Sequence, residues 1–249
     1  MDFSEATILL TGGNSGIGRG LAEALAARGS NLIITGRNSR SLEETLDANP
    51  GMSGDQLDVS DSVAIEEFAA TLLRERPEIN VVIHNAGIMN YEELVADPVD
   101  LEVPERAIAT NLLGPIRLTA ALLPHLRAKE SAALVTVSSG LAFVPRADAP
   151  AYSATKAAIH SWTQSIRHQM RGTSVKVVEI APPLVATELT PGQSKLPHAM
   201  PLADFVSEAI ELLCATPTPD EVLVKRVILQ RTAEQTGNFE KVFSLINPA

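Results

Sequence analysis

An α/β fold, a single-domain, Rossmann-like doubly wound parallel sheet with helices on both faces, is the architecture that this 249-residue sequence predicts. Two observations predict it. Short runs rich in Val, Ile and Leu recur with both faces apolar, as buried parallel strands require, and longer stretches of helical periodicity separate them. Alternation of this kind builds right-handed βαβ units and an open sheet. No repeat or linker breaks the chain, so 1–249 reads as one domain, and 45% hydrophobic with 20% charged residues suits a substantial core.

Strands are expected at Thr7–Leu10, Asn31–Thr35, Val81–His84, Ala133–Val137 and Val175–Ile180. A short third strand should end at Leu57–Asp58, and a last one should lie near Val222–Val224. Helical spacing marks Ile17–Arg28, Ser41–Ala48, Ser62–Arg74, a long piece around Glu105–Lys129, and Ala151–Arg171. Seven of the 16 prolines fall between residues 182 and 219, which predicts a long irregular excursion after the sixth strand.

Composition narrows the function classes. Twenty basic against 30 acidic residues give a charge of −10, with no basic cluster, so neither nucleic acid nor an anionic membrane is an expected partner. The single cysteine, Cys214, excludes an internal disulfide and a multi-cysteine zinc site. The opening MDFSEATILL has no basic leader region, and no apolar run approaches the roughly 20 residues that span a bilayer. A cytoplasmic protein is expected. His84 at a strand end reads as a packed, hydrogen-bonded side chain. His125, His160, His168 and His198 are dispersed and read as solvated surface, so no metal site is expected.

After the first strand the chain reads Thr11-Gly12-Gly13-Asn14-Ser15-Gly16-Ile17-Gly18 and enters a helix. Gly12 permits a tight turn, Gly16 clears the approach of a pyrophosphate, and Gly18 lets helix and strand pack closely, with the helix N-terminus facing the phosphates. A dinucleotide fits this loop. The second strand ends Thr35-Gly36-Arg37-Asn38, with glycine where NAD would call for a carboxylate. Arg37 follows it, and a guanidinium can neutralise a ribose 2′-phosphate, so NADP(H) is favoured over NAD(H).

Tyr152 and Lys156 lie four residues apart at the start of a helix and so share one face. An ammonium about 4 Å from a phenolate stabilises it by about 4 kcal/mol at an effective dielectric near 20, enough to bring a phenol toward neutrality as a general acid or base. Ser139 follows the strand Ala133–Val137 at the carboxyl edge, where such sheets place ligands. No Gly-x-Ser-x-Gly elbow occurs, which argues against a hydrolase serine.

The glycine loop at 11–18, Asp58, Asn85-Ala86-Gly87, Asn111, Ser139 and Tyr152-x-x-x-Lys156 together resemble the short-chain dehydrogenase/reductase family. The stretches 111–119, 138–145 and 181–190 resemble its DltE-type oxidoreductase subgroup. The resemblance implies a catalytic set of Asn111, Ser139, Tyr152 and Lys156, with Asn111 holding a relay water. It implies cofactor contacts from Gly12, Asn14, Ser15, Gly16, Ile17, Gly18, Arg37, Asp58, Val59, Asn85, Ala86 and Gly87, from Tyr152 and Lys156, and from Val185 and Thr187 at the nicotinamide amide. The departures are His84 in place of a frequent Asn and Pro182-Pro183 in place of Pro-Gly.

The implied function is hydride transfer between NADP(H) and a fairly apolar ketone, aldehyde or secondary alcohol, as in a carbonyl reductase. A regulator or scaffold that binds NADP without turnover is the alternative. Segment 184–203 is expected to be a substrate lid hinged near 186–190, with Leu184, Val185, Leu189, Leu196 and Met200 facing Leu141 and Phe143 across the cleft. Small residues at Ala154, Ala157, Ala158, Ser161 and Ser165 suggest close helix pairing, hence a homodimer, with a tetramer also open.

Overall fold

Alternation along each strand decides which helices it meets. The computed structural model describes residues 3–248. Among them, β1 (Thr7–Thr11), β2 (Asn31–Gly36), β3 (Ser53–Gln56), β4 (Val81–His84), β5 (Ala132–Val137), β6 (Val175–Ile180) and β7 (Glu221–Val222) pair in parallel in the order β3-β2-β1-β4-β5-β6-β7. Ile8, Leu10, Ile34, Ile83 and Val135 point to one face and join Leu21, Leu25 and Phe205. Their strand neighbours Leu9, Ile33, Val82 and Leu134 point to the other and join Leu72, Leu118 and Ile166. Two apolar cores on one sheet are the doubly wound arrangement that the sequence predicts.

The first core is closed by α1 (Gly16–Ala26), α2 (Ser39–Ala48) and α7 (Leu202–Leu213); the second by α3 (Ser62–Glu75), α5 (Gly114–Arg127) and α6 (Pro150–Gln169). A short α4 (Glu102–Ile108) runs into α5 through a π-helical turn at Ala109–Leu113. Together they make a 26-residue helix, Glu102–Arg127, long and apolar enough by composition to cross a membrane. Its Leu118, Leu122 and Leu126 are buried in the second core, as in the core helix of a globular domain.

Several expectations need correction, among them the helix ends expected at Lys129 and Arg171, which fall at Arg127 and Gln169. The third strand stops at Gln56 and the last at Val222, because the chain turns there to meet α3 and a 3₁₀ turn at Lys225–Val227. The first helix ends at Ala26, two residues early, before Gly29 at φ +102°. The proline-rich excursion is shorter than predicted, since α7 occupies residues 202–213 within it. Pro201 precedes that helix and Pro217 follows it, so these prolines mark the ends of a helix and not one long loop. The predicted lid boundary at 203 therefore falls inside α7. Beyond β7, α8 (Ile228–Arg231) and α9 (Phe239–Ile246) pack Val242 against Val144 and Ala233.

His84, at the end of β4, is buried with its Nε2 2.8 Å from Thr119 Oγ1 on α5, as expected of a packed histidine. Burial opposes its charging and holds its pKa down at about 3, against 6.5 when free. Between those values the unfolded chain binds a proton that the fold refuses. This contribution to stability is therefore present above pH 6.5 and lost as pH falls toward 3, at up to about 1.4 kcal/mol per pH unit. His84→Asn should remove that slope. Urea midpoints measured near pH 7 and near pH 5 should differ less in the variant than in the parent, and equal differences would clear His84 as the cause.

Candidate active site

The strand order reverses between β1 and β4, and a cleft of about 950 Å³ opens at their carboxyl ends. A reciprocal clamp joins the two strand ends. Thr11 Oγ1 accepts from the Asn85 and Ala86 amides at 3.1 and 3.2 Å, and Asn85 Nδ2 donates to the Thr11 and Gly12 carbonyls at 3.1 and 3.0 Å. A Cβ on Gly18 would stand 2.1 Å from the Gly12 carbonyl oxygen, so glycine is obligatory there. Gly16 has φ +51°, and a Cβ on it would meet only Thr187, at 3.5 Å. Gly12, Asn14, Ser15, Gly16, Ile17 and Gly18 all line the cleft.

At its far end Gly36 lies directly under the Asn14 side chain, which a Cβ would strike at 2.4 Å. Asn14 Nδ2 in turn donates to Ser41 Oγ at 2.5 Å. Arg37, Asp58 and Val59 line the cleft there. Burial alone would raise the Asp58 pKa, but the Ser60 hydroxyl and amide and the Arg37 charge hold it below the usual carboxylate value. The residues present fit a dinucleotide: glycines at the phosphate turn, an exposed guanidinium beside Gly36, and a carboxylate kept ionised.

At the other end the structure brings Asn111, Ser139, Tyr152 and Lys156 together. Ser139 caps a 3₁₀ turn, Gly140–Ala142, by accepting from Leu141 N at 3.1 Å. Its hydroxyl also bonds Tyr152, and Lys156 Nζ lies 5.6 Å from the Tyr152 ring centroid and donates to Val137 O at 2.8 Å. Asn111 sits in the π turn, where such irregularities often serve a site. Its amide exchanges two 2.9 Å bonds with the Ile88 backbone and donates to Thr155 Oγ1 at 3.2 Å, so it pins the loop after β4. Asn85, Ala86 and Gly87 form that loop and line the cleft.

The electrostatics depart from the sequence-based expectation. Burial pushes the Tyr152 phenol up to about 12, with the Ser139 hydrogen bond offsetting part of the rise. The same burial draws Lys156 down to about 8, opposed by the field of Glu179. Lys156 at about 8 is still mostly an ammonium at neutral pH, and the rise at Tyr152 comes from the burial of the phenol itself.

The lid residues are also placed differently from expectation. Val185 and Met200 bridge each other and lie in the first core, and Phe143 packs edge-on against His160. Leu141 packs beside Tyr152. Of the predicted apolar wall only Val185 and Leu189 line the cleft, joined by Ile88 and Met89, which the sequence reading did not single out. Thr187 also lines it. Gln193, also unforeseen, is buried and donates to Val185 O and Thr187 Oγ1, folding segment 184–200 back on itself. Its only sequence signal is a glutamine flanked by loop residues. Two histidines are not solvated surface: His125 Nε2 meets Ile79 O at 2.9 Å, and His160 meets the buried Glu179.

Residues 6–196 match the short chain dehydrogenase family. The chain is 42% identical over 189 residues to the uncharacterized oxidoreductase DltE of Bacillus subtilis, spanning 76% of this chain and 75% of that protein. It is 32% identical over 179 residues to the NADP-dependent 3-hydroxy acid dehydrogenase YdfG of Shigella flexneri, spanning 72% of each. A short-chain dehydrogenase from Streptomyces avermitilis has the same fold at TM-score 0.82 and 25% identity over 96% of both chains. Short chain dehydrogenases from Burkholderia cenocepacia, with NADP, and Burkholderia phymatum, with NAD, share the fold at TM-scores of 0.82 and 0.83 and only 22% and 20% identity. The first spans 100% of both chains, the second 100% of this chain and 98% of the other. The fold by itself therefore does not choose between the two cofactors. With the family match extending over most of its length, this chain belongs to the short chain dehydrogenase family of oxidoreductases.

Proposed function

We propose that the protein is an NADP(H)-dependent reductase or dehydrogenase acting on a fairly apolar ketone, aldehyde or secondary alcohol, with Tyr152 as general acid or base. The observation that carries this reading is the Ser139–Tyr152–Lys156 cluster in the cleft that the glycine loop opens. When bound, the nicotinamide supplies or accepts the hydride. With its pKa raised to about 12, the Tyr152 hydroxyl stays protonated at neutral pH and can give its proton to a carbonyl oxygen as that oxygen gains charge. Ser139 donates to the same oxygen and holds it near Tyr152. Lys156 lends positive charge beside the phenolate left behind, and Asn111 holds the Ile88 backbone that lines the cleft.

Arg37 supports NADP: it is exposed, follows Gly36, and its charge helps ionise Asp58. The name of the Shigella relative, an NADP-dependent enzyme, agrees. Apolar substrate preference rests on Met89 and on Leu189, which is 39% exposed at the cleft. The single cysteine suits a reducing, cytoplasmic setting.

Two variants test the chemistry as a pair, with NADPH oxidation followed against a panel of neutral and anionic carbonyls. Tyr152→Phe should keep NADPH binding and lose turnover by roughly a hundredfold or more, the scale of general acid catalysis. Arg37→Ala should weaken NADP far more than NAD. Normal turnover in the first variant, or equal losses of both cofactors in the second, would refute the corresponding assignment, and a preference for anionic carbonyls would remove the apolar pocket.

The lid reading is kept for residues 184–201, tethered at its ends by Ala186 N to Met200 O and Met200 N to Leu184 O, both 2.8 Å. Amides between these tethers should exchange rapidly without ligand and slow markedly with NADPH and a substrate analogue. Strong protection in the free protein would show a fixed loop.

For assembly we propose a homodimer at least. Ala154, Ala157, Ser161 and Ser165 are exposed along α6, so the small-residue stripe faces away from the sheet and is open to a partner helix. Light scattering at micromolar protein should read twice the chain mass or more; a monomer's mass would end the proposal.

A further inference from the structure

One turn past Lys156 on the same face of α6, His160 reaches Glu179 of β6, with Nδ1 3.0 and 2.8 Å from the two carboxylate oxygens. Glu179 is 0% exposed. The sheet register sets it opposite Thr136 on β5, next to Val137, whose carbonyl receives the Lys156 ammonium. A carboxylate so buried needs fixed donors and positive charge around it.

His160 supplies a donor. Its Nε2 lies 3.1 Å from the Gln164 amide nitrogen, and with that amide so oriented Nδ1 carries the ring proton and donates to Glu179. Two cations also lie in this corner. Arg231 meets both oxygens of Glu221 on β7, at 2.9 and 3.1 Å, and stacks 4.9 Å from the Phe143 ring centroid. Donor atoms of His160, Glu179 and Glu221 lie within 4.8 Å of one another, a grouping that could hold a metal ion, but the Arg231 guanidinium already supplies positive charge there. Two carboxylates, Glu179 and Glu221, thus share this corner with two cations, Arg231 and Lys156.

We propose that Glu179 is the buried counter-charge of Lys156, a positioning residue held by His160 that keeps the lysine ammonium protonated beside Tyr152 without touching substrate. The inference rests on the catalytic reading of Tyr152 and Lys156 above. The field of Glu179 opposes the burial that draws Lys156 down to about 8, and the same field falls on Arg231.

The Lys156 titration can be read without turnover, in the cofactor-free protein, from the carbon-13 shift of lysine labelled at Cε, with the signal assigned by its loss in Lys156→Met. In Glu179→Gln the midpoint should move to lower pH by about one unit, the size of one charge acting over roughly 10 Å at an effective dielectric near 20. The alkaline limb of kcat should follow it. Arg231→Gln removes the competing cation and should move the same signal to higher pH, while Glu179→Asp, which keeps the charge, should return it toward the parent value. A purely structural network would slow turnover and leave the midpoint in place. An unmoved midpoint in Glu179→Gln, or shifts of the same sign in Glu179→Gln and Arg231→Gln, overturns the proposal. If Glu179→Gln does not fold, the sign of the Arg231→Gln shift decides. A parent that reduces no carbonyl would sink the functional reading instead, and the Lys156 titration would still decide this one.

Discussion

The clamp between Thr11 and Asn85 is the interaction on which the rest of the cleft depends. Four hydrogen bonds, each with a net value of about 0.5–1.5 kcal/mol, tie the carboxyl ends of β1 and β4 where the strand order reverses. The clamp explains the glycines in a way that phosphate binding alone does not. A Cβ on Gly18 would meet the Asn85 amide at 2.3 Å and the Gly12 carbonyl oxygen at 2.1 Å, so that glycine serves the clamp itself. Gly16 is different, since only the Thr187 side chain comes near it, and its open space faces the segment after β6. One glycine holds the cleft together and the other leaves it room.

Much of this was legible in the sequence, for a local reason. Strands such as Val81–His84 and Val175–Ile180 are short, apolar and bounded by turn residues, and Tyr152 and Lys156 share a helix face by spacing alone. Family membership also was legible, because the motif residues lie in a fixed order along the chain. What escaped depends on tertiary burial. Helix α7 has apolar residues at helical spacing, Phe205, Val206, Ala209, Ile210 and Leu213, yet the prolines around it suggest a loop. Pro201 and Pro217 act at its ends, so a proline count without positions misleads. Gln193 and the pairing of His160 with Glu179 join residues whose partners only folding reveals, although a glutamate inside an apolar strand is a signal that could have been followed.

Burial also reverses the simplest electrostatic argument about the site. Two groups brought together in water would shift each other in helpful directions, the lysine lowering the tyrosine. In the folded chain desolvation dominates at each group, offset in part by Ser139 at the tyrosine and by Glu179 at the lysine, so Tyr152 rises to about 12 and Lys156 falls to about 8. The protein without cofactor thus holds a protonated phenol, suited to donating a proton, and a lysine whose charge depends on its surroundings. Proximity of the pair is therefore insufficient by itself, and the polar groups behind the lysine decide what the pair can do.

Those groups form a seam between α6 and the strands β5 and β6. On a face otherwise packed with Leu9, Val82, Leu134 and Val177, Thr136 meets Thr163 at 2.8 Å, Glu179 meets His160, and Lys156 meets the Val137 carbonyl. Apolar burial is non-directional and so tolerates a small slide or rotation of a helix more readily. Buried hydrogen bonds do not, since each displaced partner leaves an unsatisfied group in a poorly solvated place. Three such contacts, spread from Lys156 to Thr163 over two turns of α6, admit one rotation of the helix about its axis. That rotation sends Tyr152 to Ser139 at one end of the helix and turns Ala154, Ala157, Ser161 and Ser165 outward along its length. The polar seam thus sets both the reacting end of the helix and its exposed face, although none of its contacts lies on the surface.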